Sequence, residues 1–189
     1  VWPSISEYLG YNELAYYAMN ADDRRAGAYK KAIFESVKDK VVVDVGTGPE
    51  CILAQHCIAA GATKVYAIEI LDDIYEKAKA KIHSLGLEDK IILIHGNVMD
   101  ITLPEKVDYC VCALVGNMGS SDGCIAIMNS AKRFLKDTSC MIPYRSLTKI
   151  AAFHLPENGV SYGFTDAGAY YMNSIFEEQG KGFDLRMGL

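Results

Sequence analysis

Val41-Val42-Val43-Asp44-Val45-Gly46-Thr47-Gly48 is a branched aliphatic run, broken by one carboxylate and closed by two glycines around a threonine. Branched side chains favour extended backbone, and a run this continuously apolar suits a strand buried on both faces, as in a parallel sheet. The glycines then allow a tight turn in which backbone can come close to a ligand. A helical pattern follows over residues 50–60, so the stretch reads as strand, glycine loop, helix.

Outward from this unit the same order recurs. Downstream the pattern predicts a strand over 64–70, a helix over 72–84, strands over 90–95 and 107–113, a helix over 122–135 and a strand over 139–142. Strands alternating with helices at this spacing imply right-handed crossovers and an α/β fold whose doubly wound, mostly parallel sheet is covered on both faces. Upstream, 6–20 and 22–37 place apolar residues at helical spacing, among them Ala28, Ala32, Ile33 and Phe34, with Asp22 as the cap of the second helix. A further extended segment is expected over 146–155, and beyond Pro156 the chain turns rich in Gly and Tyr without a period. The expected organisation is two N-terminal helices (1–37), a core (38–150) and the start of a second, substrate-side unit (151–189).

The chain has 189 residues, a mass of 20.8 kDa and an apolar fraction of 50%, enough for one domain with a real core. Its 19 basic and 24 acidic side chains leave a formal charge of −5, which offers no field to attract a phosphate backbone and argues against nucleic acid as a partner. No window reaches the roughly 18 apolar residues of a membrane span, and no basic segment leading into an apolar run opens the chain. The expectation is a cytoplasmic protein without a membrane partner. The cysteines at 51, 57, 110, 112, 124 and 140 stand mostly in apolar stretches without C-x-x-C spacing, which suits reduced core filling. The chain opens at Val1 and stops at Leu189 without a polar tail, from which we expect a piece of a larger multidomain chain.

The loop after the first strand narrows the ligand. A dinucleotide site wants G-x-G-x-x-G, whereas Gly46 and Gly48 are followed by Pro49-Glu50-Cys51. The third glycine is missing, and a carboxylate at the start of the helix would repel a pyrophosphate. A nucleoside ligand without phosphate, such as S-adenosylmethionine, avoids that conflict. Glu69 closes the second strand 23 residues after Gly46, where a carboxylate can accept from both hydroxyls of a ribose. In Gly96-Asn97-Val98-Met99-Asp100, after the third strand, backbone groups of Val98 and Met99 are placed to read the base.

Met19-x-x-Asp22-x-x-Arg25-x-x-x-Tyr29, Asp44-Val45-Gly46-Thr47-Gly48, Gly61-Ala62-x-Lys64-Val65-Tyr66-Ala67-Ile68-Glu69, Leu103-Pro104-Glu105-Lys106-Val107-Asp108 and Ile142-Pro143-x-Arg145 resemble the class I S-adenosylmethionine-dependent methyltransferases, and among them the protein arginine methyltransferases. The likeness runs in order over about residues 6–150. It implies a Rossmann-like core and N-terminal helices that close over the cofactor as a lid. By the same resemblance Arg25 grips the cofactor's carboxylate, Asp44, Gly46 and Gly48 contact its methionine part, and Glu69 holds the ribose. Five tyrosines (Tyr8, Tyr11, Tyr16, Tyr17, Tyr29) fall on those helices, either as an aromatic lid or as ordinary packing. The resemblance also implies a following β-barrel, to which Gly180-x-Gly182-Phe183-Asp184 would belong; the residues past 150 are too few to complete one.

One departure bears on the acceptor. The family carries two glutamates on the loop after the fourth strand, spaced to clamp a guanidinium; here Ala113 stands at the first position and Asp122 at about the second. Losing one charged partner would cost on the order of 2–5 kcal/mol of guanidinium binding. The expectation is therefore O-methylation of a hydroxyl on a small or acyl-carrier-protein-tethered natural-product (polyketide) intermediate. His154, just past the last sheet segment, is the candidate base, and Asp122 its orienting partner. No acidic cluster suggests a metal-assisted route. Two alternatives stand beside this: a protein arginine N-methyltransferase-like enzyme, and a non-catalytic S-adenosylmethionine-binding scaffold.

Overall fold

The computed structural model describes residues 16, 19–115 and 123–147. Asp122, His154, Tyr8, Tyr11, Tyr17 and the unit expected over 151–189 lie outside the described residues; of the helix expected over 6–20, Tyr16, Met19 and Asn20 are described and helical. Helix α1 (Asp23–Ser36) begins where the Asp22 carboxylate accepts from the N–H groups of Arg24 (3.1 Å) and Arg25 (3.0 Å), the cap expected from sequence. There follow β1 (Val41–Val45), α2 (Ile52–Ala59), β2 (Lys64–Glu69), α3 (Asp72–Ser84), β3 (Ile91–His95), β4 (Tyr109–Cys112), α4 (Cys124–Ala131) and β5 (Met141–Ile142).

All five strands are parallel, in the order β3-β2-β1-β4-β5. The chain winds outward from β1 to one edge and then returns to the other side as β4. That reversal opens a crevice beyond the carboxyl ends of β1 and β4, the place where open α/β sheets take ligands. Side chains alternate across the sheet. Val42, Val65, Ala67 and Val111 join Ile33 and Val37, Ala54 and Cys57 of α2, and Ala78 and Ile82 of α3 in one layer. Val43, Val45, Tyr66, Ile68, Cys110 and Cys112 form the other with Ile127, Ala131 and Phe134. Helices therefore cover both faces, as the doubly wound reading requires.

Several boundaries differ from the sequence expectation for local reasons. Helix α2 starts at Ile52 because Pro49 and Glu50 form a turn and Cys51 adopts a left-handed conformation (φ 49°) ahead of it. Strand β4 is shorter than 107–113: Val107 leaves the ladder to bridge Leu135, and the Asp108 carboxylate takes the Val41 N–H at 2.8 Å. Helix α4 begins only after Gly123 (φ 68°) and tightens into a 3-10 turn, Lys132–Phe134. Ser146 and Leu147 belong to no strand. None of the six cysteines is in a disulfide, and five of them are buried. Among the described residues no helix is long and apolar enough to cross a membrane.

Candidate functional site

Gly46 and Gly48 after β1, Glu69 at the end of β2, Val98 after β3, Leu114 after β4 and Arg25 from α1 converge on one cavity of about 160 Å³. The loop after β1 owes its shape to the end of β2. Both glycines hold positive φ (72° and 70°). The N–H groups of Gly46 and Thr47 both donate to the Ile68 carbonyl (3.0 Å each), and that of Gly48 donates to Glu69 Oε2 (3.1 Å). The loop's amides are thus turned onto β2. The carbonyls of Gly46 and Thr47 accept no hydrogen bond from the described residues. A loop that offers acceptors suits an ammonium or sulfonium rather than a pyrophosphate. Space is also limited, since a Cβ on Gly46 would lie 3.1 Å from the Leu114 side chain and one on Gly48 3.3 Å from the Tyr16 ring.

Glu69 is buried, with Oε1 accepting from the N–H groups of Ile70 (2.9 Å) and Leu71 (3.1 Å) and Oε2 from Gly48. Burial pushes its pKa up, and those three amides pull against it. A carboxylate has about four acceptor positions, so roughly one remains for a ribose hydroxyl rather than the two-hydroxyl grip expected from sequence. Asp44 does not line the cavity, which corrects the contact expected with the methionine part. Strand alternation puts it on the Val42 side, fully buried under α2, where its Oδ2 accepts from the Thr47 hydroxyl at 2.7 Å. Its Oδ1 has no hydrogen-bond partner among the described residues. Burial pushes the Asp44 carboxyl up to about 7; the Thr47 hydroxyl and the Ala54 amide ease its charge only partly, the latter without bonding geometry. A cation against the loop above would complete that compensation.

Arg25 lines the cavity with its guanidinium fixed on two sides. Nη1 donates to the Met19 carbonyl (3.4 Å) and Nη2 to that of Ala113 (3.2 Å), 5.5 Å from the centroid of the Tyr29 ring. Two of five donors are used, and the rest remain for a carboxylate. The Tyr29 hydroxyl donates to the Cys112 carbonyl at 3.0 Å, and burial first of all pushes its pKa up to about 12. Together these contacts anchor α1 across the end of β4.

The loop after β3 divides the two residues expected to read the base. Val98 is buried and lines the cavity, and its N–H makes no hydrogen bond to a described residue. The N–H of Met99 is instead taken by Asn97 Oδ1 at 2.9 Å, and its side chain lies outside the cavity wall, so Met99 is corrected from base reader to turn residue. An Asn at the head of a turn was the signal for this capture. Thr47 and Leu114 are not among the site residues expected from sequence; their places come from contacts of the Thr47 amide with Ile68 and of Leu114 with Gly46, between elements distant in sequence. His95 stacks on Tyr75 with ring centroids 4.6 Å apart and stands 3.2 Å from Asp72 Oδ1, away from the cavity wall. No group of three or more metal-ligating side chains occurs among the described residues.

These residues fit S-adenosylmethionine by chemistry: Arg25 for the carboxylate, the Gly46 and Thr47 carbonyls for the ammonium, Glu69 for the ribose, Val98 N–H for the base. A methyltransferase domain family matches residues 30–150, and the chain belongs to it. Fold, cavity and relatives make it a class I S-adenosylmethionine-dependent methyltransferase domain resembling the protein arginine methyltransferases. Probable protein arginine N-methyltransferase 6 of Arabidopsis thaliana is 33% identical over 143 residues, covering 74% of this chain and 32% of that protein. Histone-arginine methyltransferase CARMER of Anopheles gambiae is 34% identical over 138 residues, covering 71% and 22%. Among solved structures, Arabidopsis thaliana protein arginine methyltransferase 10 has a TM-score of 0.62 at 32% identity, covering 68% of this chain and 38% of that one. The Trypanosoma brucei PRMT1 enzyme-prozyme complex with AdoHcy has a TM-score of 0.61 at 30% identity, covering 67% and 40%. The chain thus spans about a third or less of the curated relatives described. Those relatives are arginine methyltransferases rather than the natural-product O-methyltransferases expected from the loop after β4.

Proposed function

We propose that this chain forms the cofactor-binding part of an enzyme that transfers a methyl group from S-adenosylmethionine to a protein arginine side chain. Methyl transfer rests on one observation, the convergence of Arg25, the unengaged Gly46 and Thr47 carbonyls and Glu69 on a single cavity at the switch point of the sheet. The arginine acceptor rests on kinship with relatives that bear that name. S-adenosylmethionine, when bound, supplies a methyl group on a sulfonium that leaves readily as a thioether. The chain's own part is alignment: Arg25 fixes the amino-acid end, Glu69 the ribose and Val98 the base, so that an acceptor can attack in line with the S–CH3 bond.

A second reading is favoured by Ala113, which lines the cavity and stands in sequence where the resemblance places the first clamping glutamate. A guanidinium would lack a charged partner there, whereas a neutral hydroxyl on a small or carrier-protein-tethered molecule would not need one. On this reading His154 takes the hydroxyl proton as the methyl group arrives, and Asp122 orients it. Mass spectrometry after incubation with S-adenosylmethionine separates the two. Methylation of an arginine-containing histone peptide supports the first reading, and methylation of hydroxyacyl-carrier proteins alone supports the second. Binding of S-adenosylhomocysteine with turnover of neither would overturn both in favour of a scaffold.

A further inference from the structure

Arg133 stands outside the cavity, in the 3-10 turn after α4, yet it is tied directly to the base loop. Nη2 donates to the carbonyls of Val98 (2.5 Å) and Ile101 (2.7 Å). Behind it, Nη1 donates to the Ser130 carbonyl at 2.9 Å and to the Ser130 hydroxyl, and the guanidinium carbon lies 4.4 Å from the centroid of the buried Phe134 ring. A planar fork with several donors can hold two anchors and two carbonyls at once, which a lysine cannot. The loop is tight for other reasons too. Asn97 takes the N–H groups of Asp100 and Ile101 on its carbonyl, and a Cβ on Gly96 (φ 152°) would meet Ile101 at 2.9 Å.

The consequence falls on Val98. The Val98 N–H belongs to the 97–98 peptide, whose Asn97 carbonyl is held by the Asp100 and Ile101 amides, while Arg133 holds the next peptide by the Val98 carbonyl and the far end of the turn by that of Ile101; the backbone group Val98 has left for a ligand is its N–H. A donor there pairs with a ring nitrogen that accepts, such as N1 of a 6-aminopurine; a 6-oxopurine carries a hydrogen at that nitrogen, and two donors would face each other. We propose that Arg133 is a positioning residue that braces the turn over 97–101 by its Val98 and Ile101 carbonyls, keeps the Val98 N–H in place and thereby sets the selectivity of the site for a 6-aminopurine over a 6-oxopurine nucleoside. This rests on the reading of the cavity as a nucleoside site for S-adenosylmethionine.

Calorimetric titration of the full chain with S-adenosylhomocysteine and with its deaminated analogue S-inosylhomocysteine tests it. The unaltered chain is expected to prefer the adenosyl ligand by about a hundredfold, and Arg133→Met to shrink that ratio about tenfold. Arg133→Lys, keeping the charge and part of the donor set, should fall between them. A purely structural role would weaken both ligands together and leave the ratio unmoved, and that result in a folded Arg133→Met chain overturns the proposal while the nucleoside reading stands. If Arg133→Met does not fold, Ser130→Ala, which removes one anchor, is read the same way: a reduced ratio supports the proposal and an unchanged one overturns it. Failure of the unaltered chain to bind either ligand would instead overturn the nucleoside reading, and the proposal with it.

Discussion

The loop after β1 and the loop after β3 are both glycine-marked turns at the carboxyl ends of strands in one sheet, yet they offer a ligand opposite ends of the peptide group. In the first, the amides of Gly46, Thr47 and Gly48 are held by the end of β2, so carbonyls are left over. In the second, carbonyls are held by Arg133 and by neighbouring amides, so the Val98 N–H is left over. The difference comes from what lies beside each loop: a strand end with an unused carbonyl and a carboxylate in one case, a guanidinium in the other. One loop suits a cation and the other an accepting ring nitrogen, which together describe an aminoacyl sulfonium nucleoside better than either does alone.

The largest expected effect comes from beneath the first loop. Asp44 holds its proton in the folded chain up to about pH 7, whereas the unfolded chain loses it near the ordinary carboxylate value. Its contribution to stability is therefore full below about pH 4, falls as pH rises and levels off past about 7, a change on the order of 4 kcal/mol. Burial shifts Glu69 in the same direction. Urea unfolding across that range should show the decline, and Asp44→Asn should flatten it. Next in size, Arg25→Met removes the cation offered to the ligand's carboxylate, and calorimetry should show S-adenosylhomocysteine binding roughly hundredfold more weakly, about 3 kcal/mol.

A smaller loss is expected from Gly46→Ala, where the positive φ and the 3.1 Å approach to Leu114 both resist a side chain. Thermal or urea unfolding should register about 1–2 kcal/mol. At the bottom of the scale is Lys81→Ala. It breaks a half-exposed ion pair with Glu50 (2.6 Å) at the outer side of the first loop and should change affinity by no more than about twofold.

What was legible in the sequence depends on range. The buried β1 strand, the Asp22 cap and the place of Glu69 follow from spacing within a few residues, and the structure has them where the pattern put them. The parallel order follows from the alternation of elements. Donor and acceptor direction in the loops does not, because it depends on Ile68 and Arg133, which are brought beside those loops only by the finished sheet. Asp44 shows the same limit at one residue: a carboxylate beside a glycine loop looks like a ligand contact, yet strand alternation turns it under α2. Met99 was the exception that local reading could have resolved, since Asn97 two residues before it is a ready acceptor for its amide.

A crystal structure of the chain with S-adenosylhomocysteine bears on all of this at once. Its carboxylate should lie on Arg25, its ammonium against the carbonyls of Gly46 and Thr47, its ribose at Glu69 and its purine on the Val98 N–H. A ligand found elsewhere, or lying in the cavity with its ammonium away from those carbonyls and its carboxylate away from Arg25, would contradict the site described.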